Sequence, residues 1–109
     1  MLNETIIEEI KLGTGKVVES GDNVLIHYTG MLTNGTIFDS SVERDEPLEC
    51  QIGVGQLIKG WDTGIVGLAE GGSRKLTIPY SQAYGERGFP PIIPPKSDLI
   101  FEVELIKVL

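Results

Sequence analysis

The chain has 109 residues, and 16 acidic against 9 basic side chains give it a net charge of −7 at pH 7. This length predicts a single domain, residues 1–109, that buries roughly 65% of its unfolded surface, and the acidic balance disfavours a nucleic acid or an anionic membrane as partner. The only cysteine, Cys50, has no disulfide partner and no Cys or His at metal-ligand spacing, so we expect no metal and a cytoplasmic location.

The first third of the chain predicts strands at residues 6–12 and 22–32. In the second of these strands, Val24, Ile26 and Tyr28 share one face. The residues between them fall on the other face.

The pair Asn34-Gly35 then predicts a tight hairpin turn in which both residues supply positive φ angles. We therefore expect residues 36–41 to return antiparallel to the preceding strand. A further strand is predicted at residues 48–52.

One amphipathic helix, about two to three turns long, is predicted in the middle of the chain. Its apolar residues recur at spacings of three, four and three: Ile58, Trp61, Ile65 and Leu68. Gly60 and Gly64 each cost about 1 kcal/mol relative to alanine, so packing must hold this helix. Two interpretations of Trp61 stay open, a large core residue or the floor of an apolar pocket.

The last third predicts strands at residues 74–79 and 98–109. Residues 81–97, here called the flap, lie between them, and an irregular stretch this long is usually functional when ordered. An antiparallel sheet with one apolar face needs a cover, and the predicted helix is the only candidate. The fold class is therefore α+β.

Ordinary catalytic groups are scarce. The sole histidine, His27, should face away from any site that Tyr28 lines. Ser40 and Ser41 have no lysine or histidine placed to activate them, and no cationic neighbour is evident for Cys50. The sequence therefore offers no good general base and no activated nucleophile.

Aromatic and aliphatic residues are instead abundant near the predicted strand ends and loops. They could form an apolar cleft with a few polar points, although each aromatic residue taken singly is better explained as core filling. Asp39 and Arg44 follow the hairpin. These two side chains could form an ion pair or anchor the hydroxyl of Tyr28.

Five segments, in this order and spacing, resemble those of the FKBP-type peptidyl-prolyl isomerases, the family that binds tacrolimus and rapamycin: HYTGMLTNGTIFDSS, GVGQLIKGWDTGI, GGSRKLTIPYSQAYGERG, IIPP and LIFEVELIKV. They cover almost the whole chain. The resemblance implies a five- or six-stranded antiparallel sheet curved around one short α-helix, with a proline-binding pocket between sheet and helix.

The resemblance also implies roles for matching residues. The substrate-binding set would be Tyr28, Phe38, Asp39, Arg44, Leu57, Ile58, Trp61, Tyr84, Phe89, Ile93 and Phe101. Within it, the Ile58 N–H and the Tyr84 hydroxyl would bind substrate carbonyls, Trp61 would be the floor, and Asp39 would lie at the rim. Phe38 and Asp39 join Ile58 and Tyr84 as the expected catalytic residues.

Three positions depart from well-studied members of the family: Leu48 and Cys50 replace frequent aromatics, and Phe89 replaces a flap histidine of some members. We therefore expect the pocket's shape to hold while the affinity of its rim changes. No flap insertion, dimerisation arm or His-rich tail is evident, and no stretch approaches the ~20 apolar residues of a membrane span. A monomer without a membrane anchor is expected.

The expected function is peptidyl-prolyl cis-trans isomerisation without a covalent intermediate and without a cofactor. Its partners would be proline-containing peptides or proteins, with tacrolimus- or rapamycin-type macrolides as inhibitors. Two alternatives stay open: a non-catalytic module that binds proline segments in the same pocket, and a folding chaperone that uses the apolar flap residues from Phe89 to Ile93.

Overall fold

The computed structural model describes residues 4–109. Its elements in chain order are β1 (Ile6–Lys11), β2 (Asn23–Leu32), β3 (Ile37–Ser40), β4 (Leu48–Gln51), α1 (Lys59–Gly64), β5 (Ser73–Ile78), a 3₁₀ turn (Tyr80–Gln82) and β6 (Leu99–Val108). Every predicted strand is present within a few residues of its predicted bounds. The α+β class is confirmed, with six strands and one short α-helix.

The strands form one antiparallel sheet in the order β1-β5-β6-β2-β3, and β4 pairs with β2 next to β3. At its centre, β2 and β6 pair so that Tyr28 lies opposite Val103 and Gly30 lies opposite Phe101. Strand β1 occupies the free edge, and all its residues are exposed. Tyr28 and Phe101 therefore lie on central strands that are hydrogen-bonded to a neighbouring strand on each side.

The alternation predicted for the central strands separates core from surface as expected. The inward-facing residues of β2 and β6 are all buried: Val24, Ile26, Tyr28, Leu99, Phe101, Val103 and Leu105. In β6 the residues between them include Glu102 and Glu104, which are exposed. A one-residue slip in pairing would bury these carboxylates, so the pattern also fixes the register.

The helix is shorter than the sequence pattern predicts, because α1 ends at Gly64 after 6 residues rather than continuing to Leu68. Gly67 has a φ of 91°, a left-handed conformation that ends a helix, and its N–H donates to the Val18 carbonyl at 3.0 Å. No helix among residues 4–109 is long and apolar enough to cross a membrane. Ile65 and Leu68 are still buried, so the periodicity identified core residues while overestimating the helix length.

Helix α1 lies unusually close to strand β5, and its two glycines make this possible. A Cβ added to Gly60 would lie 2.5 Å from the Ile78 side chain, and one added to Gly64 would lie 2.9 Å from the Leu76 side chain. Both distances are shorter than van der Waals contact. The helix is therefore held by packing against the sheet, as its low propensity requires.

The buried guanidinium of Arg74 fixes the end of α1. Its Nη1 donates to the carbonyls of Gly64 and Val66 at 3.0 and 2.9 Å, and its Nε donates to the Glu9 carboxylate at 2.6 Å. Carbonyls at a helix end have no partner within the helix. This one side chain thus satisfies the last carbonyl of α1 and one carbonyl just beyond it, and it links α1 to the edge strand β1.

The hairpin turn differs in detail from the sequence expectation. Gly35 has a positive φ of 92°, but Asn34 does not. The Asn34 side chain instead accepts a hydrogen bond from the Thr36 N–H at 2.9 Å, the local bonding by which Asn favours turns. The strands still return antiparallel, because β2 pairs with β3.

The flap is ordered by its own hydrogen bonds. The N–H groups of Phe89 and Ile93 donate to each other's carbonyls at 2.8 Å, and Ile93 is 2% exposed. The two residues that flank the flap are also joined, because the Tyr80 N–H donates to the Asp98 carboxylate at 2.8 Å. Ile93 thus anchors the flap in the core and leaves Phe89 at the surface.

The carboxylate of Glu70 joins two distant parts of the chain. Its oxygens accept hydrogen bonds from the Lys16 N–H at 3.2 Å and from the Val108 N–H at 2.7 Å. These bonds tie the segment before β2 to the end of β6. Because they stabilise the charged form, the Val108 and Lys16 N–H groups lower the pKa of Glu70 from its ordinary value of 4.5.

We expect Glu70→Gln to destabilise the protein at neutral pH and not in acid. A carboxyl whose pKa is lowered on folding stabilises the native state above its ordinary pKa of 4.5, and this contribution is lost as the pH falls through the folded pKa. Urea unfolding should therefore show a gap between wild type and variant at about pH 7 that closes near about pH 3. Glu86→Gln is the matched control, because Glu86 is exposed in the flap. An equal gap at both pH values would contradict this role.

Candidate active site

A cavity of about 260 Å³ opens between the sheet and α1. Its walls come from β2, β3, β4 and β6, from α1 and the loop before it, and from the flap. The lining residues are Tyr28, Phe38, Asp39, Leu48, Gln56, Leu57, Ile58, Trp61, Tyr84 and Phe101. The cavity is thus mostly aromatic and aliphatic, with few polar groups.

The floor of the cavity is a cluster of perpendicular aromatic rings. The Trp61 ring centroid lies 5.2 Å from that of Tyr28 and 5.3 Å from that of Phe101, both edge-to-face, and Phe38 meets Phe101 at 5.6 Å in the same way. Each such pair is worth about 0.5–1.5 kcal/mol beyond its buried area. Rings fixed from several sides cannot rotate to fill the hollow, so the cavity stays open.

Trp61 combines both interpretations left open by the sequence. Its side chain is 4% exposed and belongs to the core cluster, yet it also lines the cavity. The indole N–H has no hydrogen-bond partner among residues 4–109. An unpaired buried donor costs about 1–3 kcal/mol. A ligand that placed an acceptor or the face of a π system against the indole N–H would recover part of this cost.

Gly30 makes room for the two phenylalanines of the wall. A Cβ at this position would lie 2.7 Å from ring atoms of both Phe38 and Phe101. The absence of a side chain on β2 therefore lets these rings meet edge-to-face across the strand. The shape of the cavity depends on this small residue as well as on the large ones.

The polar side of the cavity is a network of Tyr28, Asp39 and Arg44. The Tyr28 hydroxyl donates to Asp39 Oδ2 at 2.7 Å and accepts from Arg44 Nη2 at 3.0 Å. Arg44 also forms an ion pair with Asp39. The structure thus contains both the ion pair and the tyrosine anchor that the sequence suggested as possibilities.

This network holds each group in one protonation state. Burial alone would raise the pKa of Asp39, but the hydrogen bonds from Tyr28 and Arg44 outweigh it and lower that pKa. Burial and the hydrogen bond to Asp39 raise the pKa of Tyr28. Hydrogen bonds to Tyr28 and Asp39 raise the pKa of Arg44. At neutral pH the cavity therefore contains a carboxylate, a guanidinium and a neutral phenol.

Two donors beside the cavity have no protein acceptor within residues 4–109. Neither the Ile58 N–H nor the Tyr84 hydroxyl donates a hydrogen bond to any described residue, 4–109. The Tyr84 ring lies 5.7 Å from that of Phe89, and burial together with the charge of Asp39 raises the pKa of Tyr84. Tyr84 is therefore a neutral donor at physiological pH, and both groups are free to bind a carbonyl.

The structure brings together all but three of the residues predicted for substrate binding. Arg44 is not part of the lining but contacts two residues that are. Phe89 is 56% exposed outside the cavity, and Ile93 is buried beneath the flap. Neither lines the cavity, and both contribute to the shape of the flap beside Tyr84.

Two lining residues, Leu48 and Gln56, were not in the predicted set. Leu48 could have been found from the sequence, because its position in the resembling family often holds an aromatic residue. Gln56 gave no such signal. A glutamine beside two aliphatic residues has no periodicity that would distinguish it from an ordinary loop residue.

One expectation about catalytic groups was wrong. The sequence showed no base placed near Ser41, but His27 Nδ1 lies 2.9 Å from Ser41 Oγ. The pairing of β2 with the segment after β3 creates this contact, which sequence separation concealed. Ser41 is 0% exposed, and its Oγ accepts the Tyr28 N–H at 2.7 Å. A hydroxyl so enclosed stabilises the strand and cannot reach a substrate.

Cys50 is also unsuited to nucleophilic chemistry. Burial, aided by the charges of Asp62 and Glu49, raises the pKa of its thiol to about 11. The reactive thiolate is therefore almost absent at neutral pH. Among residues 4–109, no three His, Cys, Asp or Glu side chains converge to hold a metal ion.

Comparison with known proteins identifies the family. The family model described as FKBP-type peptidyl-prolyl cis-trans isomerase matches residues 14–106. The chain belongs to this family. It is therefore an isomerase that accelerates rotation about X-Pro bonds, and the resemblance found in the sequence is confirmed.

Curated relatives of the FKBP-type chain match it over nearly its full length. An FK506-binding protein of Neisseria meningitidis serogroup A is 54% identical over 107 residues, which cover 98% of this chain and 98% of the relative. FK506-binding protein 1 of Saccharomyces cerevisiae is 57% identical over 103 residues, covering 94% of this chain and 90% of the relative.

Solved FKBP structures share the fold. The crystal structure of AtFKBP13 matches with a TM-score of 0.90 at 40% identity and covers 96% of this chain and 93% of that one. The crystal structure of FkpA from Escherichia coli matches with a TM-score of 0.87 at 38% identity, covering 95% of this chain and 47% of that one. The six-stranded sheet with one short helix is thus the architecture of this family.

We expect Gly30→Ala to lower kcat/KM by about tenfold, because the added methyl group forces the Phe38 and Phe101 rings into the cavity. The measurement is isomerisation of a proline tetrapeptide at a temperature where thermal unfolding shows the variant to be folded. Thr29→Ala on the same strand is the control, since Thr29 does not line this cavity. A folded Gly30→Ala protein with wild-type kcat/KM would show that the ring pair does not shape the site.

Proposed function

We propose that the cavity above Trp61 binds the proline of an X-Pro peptide and accelerates its cis-trans rotation by desolvation and by binding of the twisted imide, with no covalent intermediate. The observation that carries this proposal is an aromatic cavity with two uncommitted donors, the Ile58 N–H and the Tyr84 hydroxyl. Among the described residues, no serine, cysteine, lysine or histidine lines the cavity, and its one carboxylate, Asp39, is already paired with Tyr28 and Arg44, so the lining gives no indication of bond cleavage.

The aromatic floor lowers the barrier through solvation. Rotation about the imide bond meets a barrier of ~18–20 kcal/mol, because twisting removes the resonance that places negative charge on the oxygen. Water stabilises the planar, charge-separated form more than the twisted one. Transfer of the imide to the surface formed by Trp61, Phe38 and Phe101 removes that water and so favours the twisted form.

The polar groups add selectivity for the twisted geometry. The Ile58 N–H and the Tyr84 hydroxyl would hold the carbonyls of the chain flanking the imide while the proline ring turns, as differential binding of the transition state requires. The Asp39 carboxylate, held at the rim by Tyr28 and Arg44, would repel the negative oxygen of the planar imide. That oxygen carries less negative charge when the imide is twisted. The Asp39 carboxylate would therefore also favour the transition state over the planar ground state.

These effects are large enough for an isomerase. Uncatalysed exchange takes tens to hundreds of seconds. Reaching milliseconds requires a factor of about 10⁵, or about 7 kcal/mol of the barrier. Desolvation and preoriented donors together can supply this amount without proton transfer.

We further propose that residues 1–109 act as one monomeric domain in the cytoplasm, without a metal or cofactor. Its partners would be proline-containing proteins, and tacrolimus- or rapamycin-type macrolides would compete for the same cavity. Relatives named FK506-binding proteins at 54% and 57% identity support the macrolide proposal. A single free cysteine is compatible with a reducing compartment.

A second candidate function, folding assistance by the flap, has a specific observation in its favour. Phe89 and Ile92 expose 56% and 49% of their surface. The Phe89 ring also contacts the Tyr84 ring, with centroids 5.7 Å apart. Exposed apolar residues of this kind can hold unfolded segments. Suppression of aggregation that persists when rapamycin fills the cavity would support this function, whereas loss of suppression would assign it to the cavity.

The deciding test for the cavity is a protease-coupled isomerase assay on a proline tetrapeptide, with and without rapamycin. We expect activity that rapamycin abolishes. Phe38→Ala and Asp39→Leu should each lower kcat/KM by at least about tenfold, since one removes an aromatic wall and the other the rim carboxylate. Ile37→Ala is the control, because Ile37 is 50% exposed on the same strand and does not line the cavity. Wild-type kcat/KM in both site variants would rule out the assigned cavity.

Tyr84→Phe should have a smaller effect. It removes one neutral hydrogen bond, worth about 1 kcal/mol, so kcat/KM should fall by about fivefold without loss of stability. Tyr80→Phe is the matched control, because Tyr80 lies in the adjacent 3₁₀ turn and is not part of the lining. Equal kinetics for the two variants would exclude the Tyr84 hydroxyl as a donor to substrate.

A further inference from the structure

We propose that Asp62 is a positioning residue for isomerisation, because its carboxylate holds the wall loop, residues 53–58, against the aromatic floor. This inference rests on the proposed function of the cavity. The wall loop connects β4 to α1, and its last three residues line the cavity: Gln56, Leu57 and Ile58.

Both oxygens of the carboxylate bind the wall loop. Asp62 Oδ1 accepts the Gly53 N–H at 2.9 Å, and Asp62 Oδ2 accepts the Gly55 N–H at 3.1 Å. Gly53 and Gly55 have φ angles of 81° and 80°, a left-handed conformation that directs their N–H groups while costing glycine little. Charge-assisted bonds of this kind are stronger than neutral ones.

The wall loop has few other polar restraints. Within residues 4–109, its other N–H groups donate to no protein acceptor, and the Gly53 carbonyl accepts only a long 3.5 Å bond from Ser20. Leu57 and Ile58 pack partly against the core, and the Ile58 carbonyl accepts the Trp61 and Asp62 N–H groups at 3.0 and 3.3 Å, which fixes one end of the loop. The carboxylate of Asp62 is therefore the main polar restraint on the other end.

The position of Asp62 gives this restraint a role in catalysis. It follows Trp61 directly in α1, so one helical segment carries both the floor and the group that holds the wall. The carboxylate fixes the start of the wall loop while packing and the α1 N–H groups fix its end, so the Ile58 N–H, which would bind a substrate carbonyl, keeps a defined place relative to the indole. Small displacements of such a donor can cost up to about a hundredfold in rate. Loss of the loop restraint should therefore lower kcat/KM even in a protein that remains folded.

An alternative role for Asp62 is general stabilisation of α1. An acidic residue in the first turn of a helix interacts favourably with the helix dipole, and Asp62 occupies such a place. That role predicts a loss of stability without a specific kinetic defect. The two roles therefore differ in what they predict for the wall loop and for kcat/KM.

The test compares Asp62→Asn, Asp62→Glu and the control Thr63→Ala. Asparagine keeps the shape of aspartate but offers one acceptor, and its NH₂ group would face the second loop N–H. Glutamate keeps both charged acceptors. Thr63 lies next in the helix and donates only to the Lys59 carbonyl, so its loss changes α1 without touching the wall loop.

Three quantities are measured for each variant at a temperature where all are folded: amide hydrogen exchange at Gly53 and Gly55, kcat/KM on a proline tetrapeptide, and the melting temperature. We expect Asp62→Asn to lose protection at both amides and about tenfold in kcat/KM. Asp62→Glu should recover most of both, and Thr63→Ala should match wild type. Lost protection with unchanged kcat/KM, or lowered kcat/KM with intact protection, would overturn the proposal.

The same experiment separates this inference from the function on which it rests. A wild-type protein without isomerase activity would overturn the proposed use of the cavity, and with it any positioning role in that reaction. Intact exchange protection in Asp62→Asn would overturn the restraint itself, even if the wild type is fully active.

Discussion

The close approach of α1 to β5 is the constraint on which the site depends. Only a helix with glycine at positions 60 and 64 can lie so near the side chains of Ile78 and Leu76. This approach places Trp61 against the central strands, where Tyr28 and Phe101 meet it edge-to-face. The residues with the poorest helix propensity thus create the close packing that positions Trp61.

The site follows from this arrangement without any group that makes or breaks bonds. In the mechanism that we propose, a rigid aromatic floor, a rim whose charges pair with each other and two free donors together favour a twisted imide over a planar one. His27 and the buried Ser41 serve the sheet instead, because the Ser41 hydroxyl that contacts His27 also accepts the backbone N–H of Tyr28. Catalysis and stability therefore draw on the same packed rings.

The sequence predicts the sheet well and the details of its connections less well. Alternation along β2 and β6 is a local pattern, so it gave both the strands and the inward side of Tyr28 and Phe101. The length of α1 depends on Arg74 and on the φ of Gly67, neither of which periodicity shows. The bonds from Asp62 to the loop glycines, and the place of Gln56 in the cavity, likewise arise only when separate segments meet. The family resemblance predicted most of the candidate site, because members of one family share a fold and so bring matching residues together in space.

The network of Tyr28, Asp39 and Arg44 has a consequence for the conditions in which the enzyme can work. The pKa of Asp39 is lowered while the pKa values of Tyr28 and Tyr84 are raised, so the charge pattern at the binding pocket is constant from mildly acidic to mildly alkaline surroundings. A hydrolase that relies on a neutral histidine loses its proton acceptor when its compartment acidifies. A catalyst that rotates a bond without proton transfer does not depend on such a group. Its rate therefore responds to temperature and substrate concentration more than to pH.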